Sequence, residues 1–163
     1  MKRLLLVLVV GMVLVGCSQK HSFVFQDQTV TDVKTKLVWS KNANMAGKPL
    51  LWKSDDNVYA FIKKLNDEGY ANYYDWRLPT KDEMSELVAY AKELGYDANK
   101  METWPYQKLG QLGFLNVRDY DYWTATRETK DTMWIANMVD GSTKPKEDTK
   151  PYFVWPVRGG GGH

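Results

Sequence analysis

Three kinds of hydrophobic spacing divide this chain. From Leu4 to Val15 the residues are apolar with Gly11 as the one break, and Lys2 and Arg3 stand in front of them. A run of about a dozen is too short for the ~20 residues that a bilayer-spanning helix needs, and it matches the apolar core of an export signal. From residue 22 the pattern changes to short β-type segments. Ser22–Gln26, Thr29–Asp32 and Lys36–Ser40 read as strands, with a polar turn over Asp32–Thr35. The third spacing is helical. Val58, Phe61, Ile62 and Leu65 share one face of a helix that Ser54 or Asp55 can cap and Gly69 can stop. Met84, Leu87, Val88 and Ala91 share a face of a second helix, which Gly95 can close. Thr80-Lys81-Asp82-Glu83 has the form of a capping box, and Pro79 keeps Leu78 extended just before it.

Periodicity lapses between Tyr96 and Asp121. A stretch of this length in a small domain carries function or hides short helices. Strands resume at Tyr122–Thr126, Met133–Val139 and Tyr152–Val157, and Asp140-Gly141 opens a long polar connection that runs to Lys150. Strands, two helices, then strands again make an α+β plan. The expected layout is a signal peptide over residues 1–16, a tether over 17–22, one domain over 23–158 and a flexible tail over 159–163.

Leu14-Val15-Gly16-Cys17 resembles the bacterial lipobox. The resemblance implies a thioether-linked diacylglyceryl group on Cys17, cleavage before it, and acylation of the new amino group, palmitate being the type of chain attached. Several acyl chains anchor stably where one does not. Ser18 fits sorting to the outer membrane. The alternative is a plain secretory signal with an incidental cysteine. Cleavage before Cys17 takes sixteen of the 163 residues and leaves 147, and 22 basic residues become 20, against 20 acidic ones. A neutral mature chain has no net basic field to hold phosphates, so nucleic acid is not expected as a partner. With Cys17 the one cysteine, no disulfide is available and the core must carry the fold.

The ordered strings VTDVKTKLVWS, Trp52, LNDEGY, DWRLPTKDEMSEL, YWTAT, MWIANMVDG and VRGG, from Val30 to Gly160, resemble the Legionella collagen-like protein C-terminal domain family. The resemblance implies a C-type-lectin-like fold, two helices packed on a small twisted, mainly antiparallel sheet, with N- and C-terminal strands paired. It also implies a role at the cell surface, the founding adhesin binding sulfated glycans. This chain lacks the collagen-like Gly-x-y stalk of that adhesin.

Within this frame Trp39, Trp52, Asp75, Trp76, Arg77, Pro79, Thr80, Glu83, Trp123, Trp134 and Arg158 are assigned to structure. Trp39, Trp123, Trp134 and Trp155 are expected in the core. Arg77 is expected to pair with Asp75 or Glu83. Seven Trp and ten Tyr are more aromatic surface than a chain of this length needs for packing. Sugars lay their CH faces on exposed rings, which makes Tyr73, Tyr74, Trp104, Tyr106, Tyr120 and Tyr122 the candidate ligand contacts. No resident cofactor is expected. Calcium is the one ion considered, with Asp119, Asp121 and Asp131 as candidate ligands against the alternative of a solvated acidic loop. The calcium-binding strings of sugar-binding lectins do not occur.

Histidines stand only at His21 and His163, so no histidine-based triad or zinc site is expected in the core. Carboxylate pairs such as Asp82/Glu83 or Asp119/Asp121 leave a hydrolase as a remote alternative. The expected function is a non-enzymatic envelope lipoprotein, outer-membrane anchored, that binds a glycan or a protein. The alternative is a structural lipoprotein docked on an envelope complex. A sulfated ligand would need a positive face, for which Lys100, Lys108, Arg118 and Arg127 are the candidates.

Overall fold

The computed structural model describes residues 21–55, 57–95 and 104–160. The lipobox, Lys100 and the last three residues lie outside them. The chain begins with a meander of short antiparallel strands, β1 (Phe23–Phe25), β2 (Thr29–Asp32) and β3 (Leu37–Ser40). Helix α1 (Val58–Asp67) follows, then a 3-10 turn over Tyr70–Asn72, α2 (Lys81–Gly95) and α3 (Pro105–Leu112). Strands β4 (Asp121–Arg127), β5 (Thr132–Asn137) and β6 (Thr143–Glu147) form a second antiparallel sheet. β7 (Val157–Gly159) returns to the first sheet beside β3, with Trp39 opposite Val157 and Leu37 opposite Gly159. The architecture is α+β, with three helices and two small antiparallel sheets in the orders β1-β2-β3-β7 and β4-β5-β6.

Several boundaries differ from the sequence pattern, each for a local reason. Asn57, not Ser54 or Asp55, caps α1, because its side-chain oxygen accepts from the Ala60 N–H at 2.9 Å. Helix α3 falls in the stretch expected to be irregular. Its eight residues are too few to show a period, but Pro105 at its first position and Gly113 in the left-handed region at its end are the usual punctuation. β6 has the sequence TKPKE, and a proline among lysines is tolerated there because it is an edge strand. The run Tyr152–Val157 is not one strand. Tyr152 bridges Leu50 and Phe153 bridges Tyr122, while Pro156 has no N–H to donate and only accepts, from Ser40 N, before β7 begins. Gly159 and Gly160, expected in a flexible tail, are held: Gly159 ends β7 and its carbonyl accepts from Arg77, and a side chain on Gly160 would strike Leu37.

The core draws on both sheets and the helices over them. One core cluster gathers Trp39, Trp155, Tyr122 and Phe114 against Met84, Val88 and Leu109 of α2 and α3. A second gathers Trp52, Trp123, Ile135 and Val154 beneath Val58 of α1. The indole N–H groups are satisfied inside, Trp155 donating to the Ser40 carbonyl at 2.9 Å and Trp123 to that of Leu50 at 2.8 Å. Trp134 departs from expectation. It is half-buried on the outer face of β5, donates to Glu128, and lies under the Lys81 ammonium at 4.4 Å. On the alternating pleat, its neighbours Met133 and Ile135 take the inward positions.

Candidate functional site

The segment Asp75–Thr80 joins the two sheets. Trp76 is buried, and its backbone is held on both sides by one amide: its N–H donates to Asn66 Oδ1 at 2.7 Å, and its carbonyl accepts from Asn66 Nδ2 at 2.9 Å. The Trp76 indole donates to the Tyr70 carbonyl. Just upstream, Gly69 has φ +62°, and a Cβ there would meet the Tyr74 ring at 2.7 Å, so glycine is required twice over.

Arg77 exchanges backbone hydrogen bonds with Val157, while Pro79 accepts from Ala125 N of β4 at 2.7 Å. The Arg77 guanidinium forks onto Glu83 at 2.7 and 2.8 Å and donates a further bond to Gly159 O. The capping box forms in full: Glu83 N donates to Thr80 Oγ1, and Thr80 N donates to Glu83 Oε2. Burial pushes the Glu83 carboxyl up, but the Arg77 guanidinium and the Thr80 N–H outweigh it and hold it below its ordinary value. Asp75 does not pair with Arg77. It receives Arg158 at 2.7 and 3.1 Å, which keeps its carboxyl low, and Arg158 in turn stacks on Tyr73 at 3.9 Å.

This joint forms the floor of a cleft of about 740 Å³ between α1, the first turns of α2 and β4. Val58, Ile62, Leu78 and Ala125 make its walls apolar, and Trp52 lies at its base. Tyr59 stands at the side, 57 % exposed, with its ring edge-on to Trp52 at 5.0 Å. Three carboxylates, Asp82, Glu83 and Glu86, line the opposite side against the single guanidinium of Arg77. Glu83 is taken up by Arg77, and Glu86 accepts from Lys34 at 2.6 Å. The Thr126 hydroxyl accepts from Lys81 N, and that of Thr80 from Glu83 N. The cleft therefore offers an open ring, apolar walls and hydrogen-bond acceptors at its rim. Lining Thr80, Asp82 and Glu83 could have been suspected from the capping box; Tyr59 carried only a weak signal, as an aromatic one helical turn from Ile62, next to the apolar stripe.

The family model of the Lcl C-terminal domain matches residues 28–158, nearly the whole folded part. The chain belongs to this family. No curated protein matches it.

This Lcl C-terminal domain does not gather its expected ligand aromatics. Tyr122 is wholly buried, its hydroxyl accepting from Arg118 N, and burial pushes its phenol far up; it is a core residue and cannot meet a ligand. Tyr73 lies half-buried under Arg158, whereas Tyr74 is exposed over Gly69. Trp104 and Tyr106 sit at the start of α3, where the Trp104 carbonyl accepts from Gln107 and Lys108. Tyr120 is exposed and packs edge-on to Phe153.

The three candidate calcium ligands also fail to converge. Asp121 is buried and ion-paired with Lys146, with Asn137 donating to its other oxygen, while Asp131 lies beyond the opposite end of β4. Among the described residues, no three acidic, cysteine or histidine side chains come together to hold a metal. Nor do Arg118 and Arg127 meet in a positive face: Arg118 precedes β4, while Arg127 ends it and donates to the carbonyls of Thr129 and Lys130.

Proposed function

We propose that this domain is a non-enzymatic binding module whose cleft takes an uncharged glycan. The observation that carries the reading is the exposed Tyr59 ring beside apolar walls and an acidic rim. Tyr59 offers the CH face of a sugar a stacking surface, and Asp82 and Glu86 accept from its hydroxyls. Sulfated ligands fit poorly, because Arg77, Lys34 and Lys81 are each engaged with a carboxylate of the cleft and leave no free cation among the described residues there to receive them. The non-enzymatic reading is supported by the state of the carboxylates: Glu83 is clamped by Arg77 and Asp121 by Lys146, which leaves neither candidate pair with two free members. We assign the module a C-type-lectin-like fold and place it on the bacterial outer membrane, lipid-anchored through Cys17. Among the described residues no helix is long and apolar enough to cross a membrane.

The test is a glycan screen of the chain from Lys20 onward, with neutral, acidic and sulfated sugars, with and without calcium. Binding of neutral glycans that disappears in Tyr59→Ala, with melting unchanged within a few degrees, is the expected result. Binding that survives Tyr59→Ala, or that selects sulfated sugars, overturns the cleft assignment. A folded sample that binds nothing favours the alternative of docking on an envelope protein.

A further inference from the structure

The start of the folded chain is locked down more tightly than its position predicts. The His21 ring has only 9 % of its side chain exposed. Its Nδ1–H donates to Asp32 Oδ2 at 2.9 Å, and Lys34 Nζ donates to Nε2 at 3.1 Å. Asp32 is itself a fixed point, accepting from Lys34 N and from the Thr35 hydroxyl. The other side of the imidazole rests on Tyr90 of α2, ring centres 4.8 Å apart, and Phe23 follows on the same tyrosine at 5.4 Å. His21 therefore clasps the chain to both the first sheet and α2.

The clasp shortens the free tether. Only Ser18, Gln19 and Lys20 separate Cys17 from His21, a reach of about 14 Å fully extended. β1 begins two residues later and is an outer strand of its sheet. Its apolar side chains are unusually open for so small a strand: Val24 is 49 % exposed and Phe25 37 %, and Leu115, two residues beyond the Gly113 that Phe25 packs on, is 49 % exposed. Phe23 and Phe25 pack on Phe114, while Val24 points to the other side of the pleat, so both faces of the edge carry open apolar surface. The turn between β4 and β5, in the other sheet, is polar and charged: Glu128, Thr129, Lys130 and Asp131 are all exposed.

We propose that the β1 edge is the membrane-facing side of the domain, with Val24, Phe25 and Leu115 resting on the lipid surface. The proposal rests on the reading of Cys17 as the lipid-bearing residue, and adds to it a fixed orientation. Three apolar side chains give too little area to bind a membrane alone. Next to an anchor whose free reach is about 14 Å they need only choose a side, because the surface is already at high effective concentration. The polar β4–β5 turn, which belongs to the sheet without β1, is then left to solvent.

The test uses the full lipidated protein reconstituted in phosphatidylethanolamine/phosphatidylglycerol vesicles. Acylation of Cys17 consumes the one native thiol, so an introduced cysteine is unique. Val24→Cys and Lys130→Cys are each labelled with a small fluorophore, and quenching by a lipid-borne nitroxide is measured. Flotation with the vesicles and several-fold stronger quenching at position 24 than at position 130 is the expected result. His21→Ala, checked for an intact melt, should bring the two positions closer together. Equal quenching at both positions in protein that floats overturns the orientation and leaves the anchor standing. Protein that does not float removes the anchor and the orientation with it. Unquenched label at position 24 together with cross-linking between two Val24→Cys copies assigns the edge to self-association, which also overturns the proposal.

Discussion

The two walls of the cleft are built on opposite principles. On the α2 side, nearly every polar atom is spent inside the protein: the Arg77 fork on Glu83, the reciprocal bonds of Thr80 and Glu83, and the Lys81 N–H on Thr126. On the α1 side, one capping bond from Asn57 starts the helix, and Tyr59 is left open beside it. A wall whose inner polar groups are paired holds its shape, and leaves only the rim carboxylates of Asp82 and Glu86 to a ligand. A wall with an open ring on a short helix is less tightly determined and has surface to give. The comparison separates scaffold from contact within a single cleft.

The strongest way to break the comparison is Trp76→Ala. Removing a buried indole whose chain segment joins both sheets should cost about 3–5 kcal/mol, a large share of the stability of a domain this size, and denaturant melts would show it directly. Arg77→Ala comes next, at about 2–3 kcal/mol, because it strands the half-buried Glu83 carboxylate and releases the Gly159 carbonyl. A fully stable Arg77→Ala protein that fails only in binding would show that Arg77 is a ligand contact and not scaffold.

Acid sharpens the same point. Glu83 and Asp75 titrate below their ordinary values in the folded state, so the stability they contribute is complete above the unfolded carboxyl range and drains away as pH falls through the lower, folded values. Stability measured from pH 6 down to about pH 2 should decline on this account, and Glu83→Gln should flatten part of the slope. On the α1 wall the expected effects are small. Asn57→Ala removes one cap and should cost about 1 kcal/mol by thermal melting. Tyr59→Ala loses an edge-on pair with Trp52, about 1 kcal/mol or less, while abolishing glycan binding. A Tyr59→Ala protein as unstable as Arg77→Ala would erase the distinction between the walls.

The membership of the family was legible because its motifs are local strings, and so were the elements whose physics is local. The α2 stripe, the Thr80–Glu83 capping box and the first three strands each depend on residues within a turn or a pleat of one another, and they stand where the pattern put them. Short elements were harder. α3 and β6 have eight and five residues, too few for periodicity to outweigh their prolines and polar residues.

The candidate site was the least legible part. Ring type marks a residue as able to bind, but exposure is set by partners far away in sequence. Tyr122 is closed off by Phe153 and Trp155, and Trp134 lies outside because β5 alternates beneath it. Tyr59 and Glu83 face one cleft only because Arg77 pairs with Val157 and Pro79 with Ala125, tying α2 to two sheets at once. The amino-acid sequence by itself determined the two longer helices, the α2 capping box and the first three strands, because their energies come from neighbours along the chain. Tertiary structure alone decided which aromatic surface stayed open, because burial is a property of what packs on a ring and not of the ring.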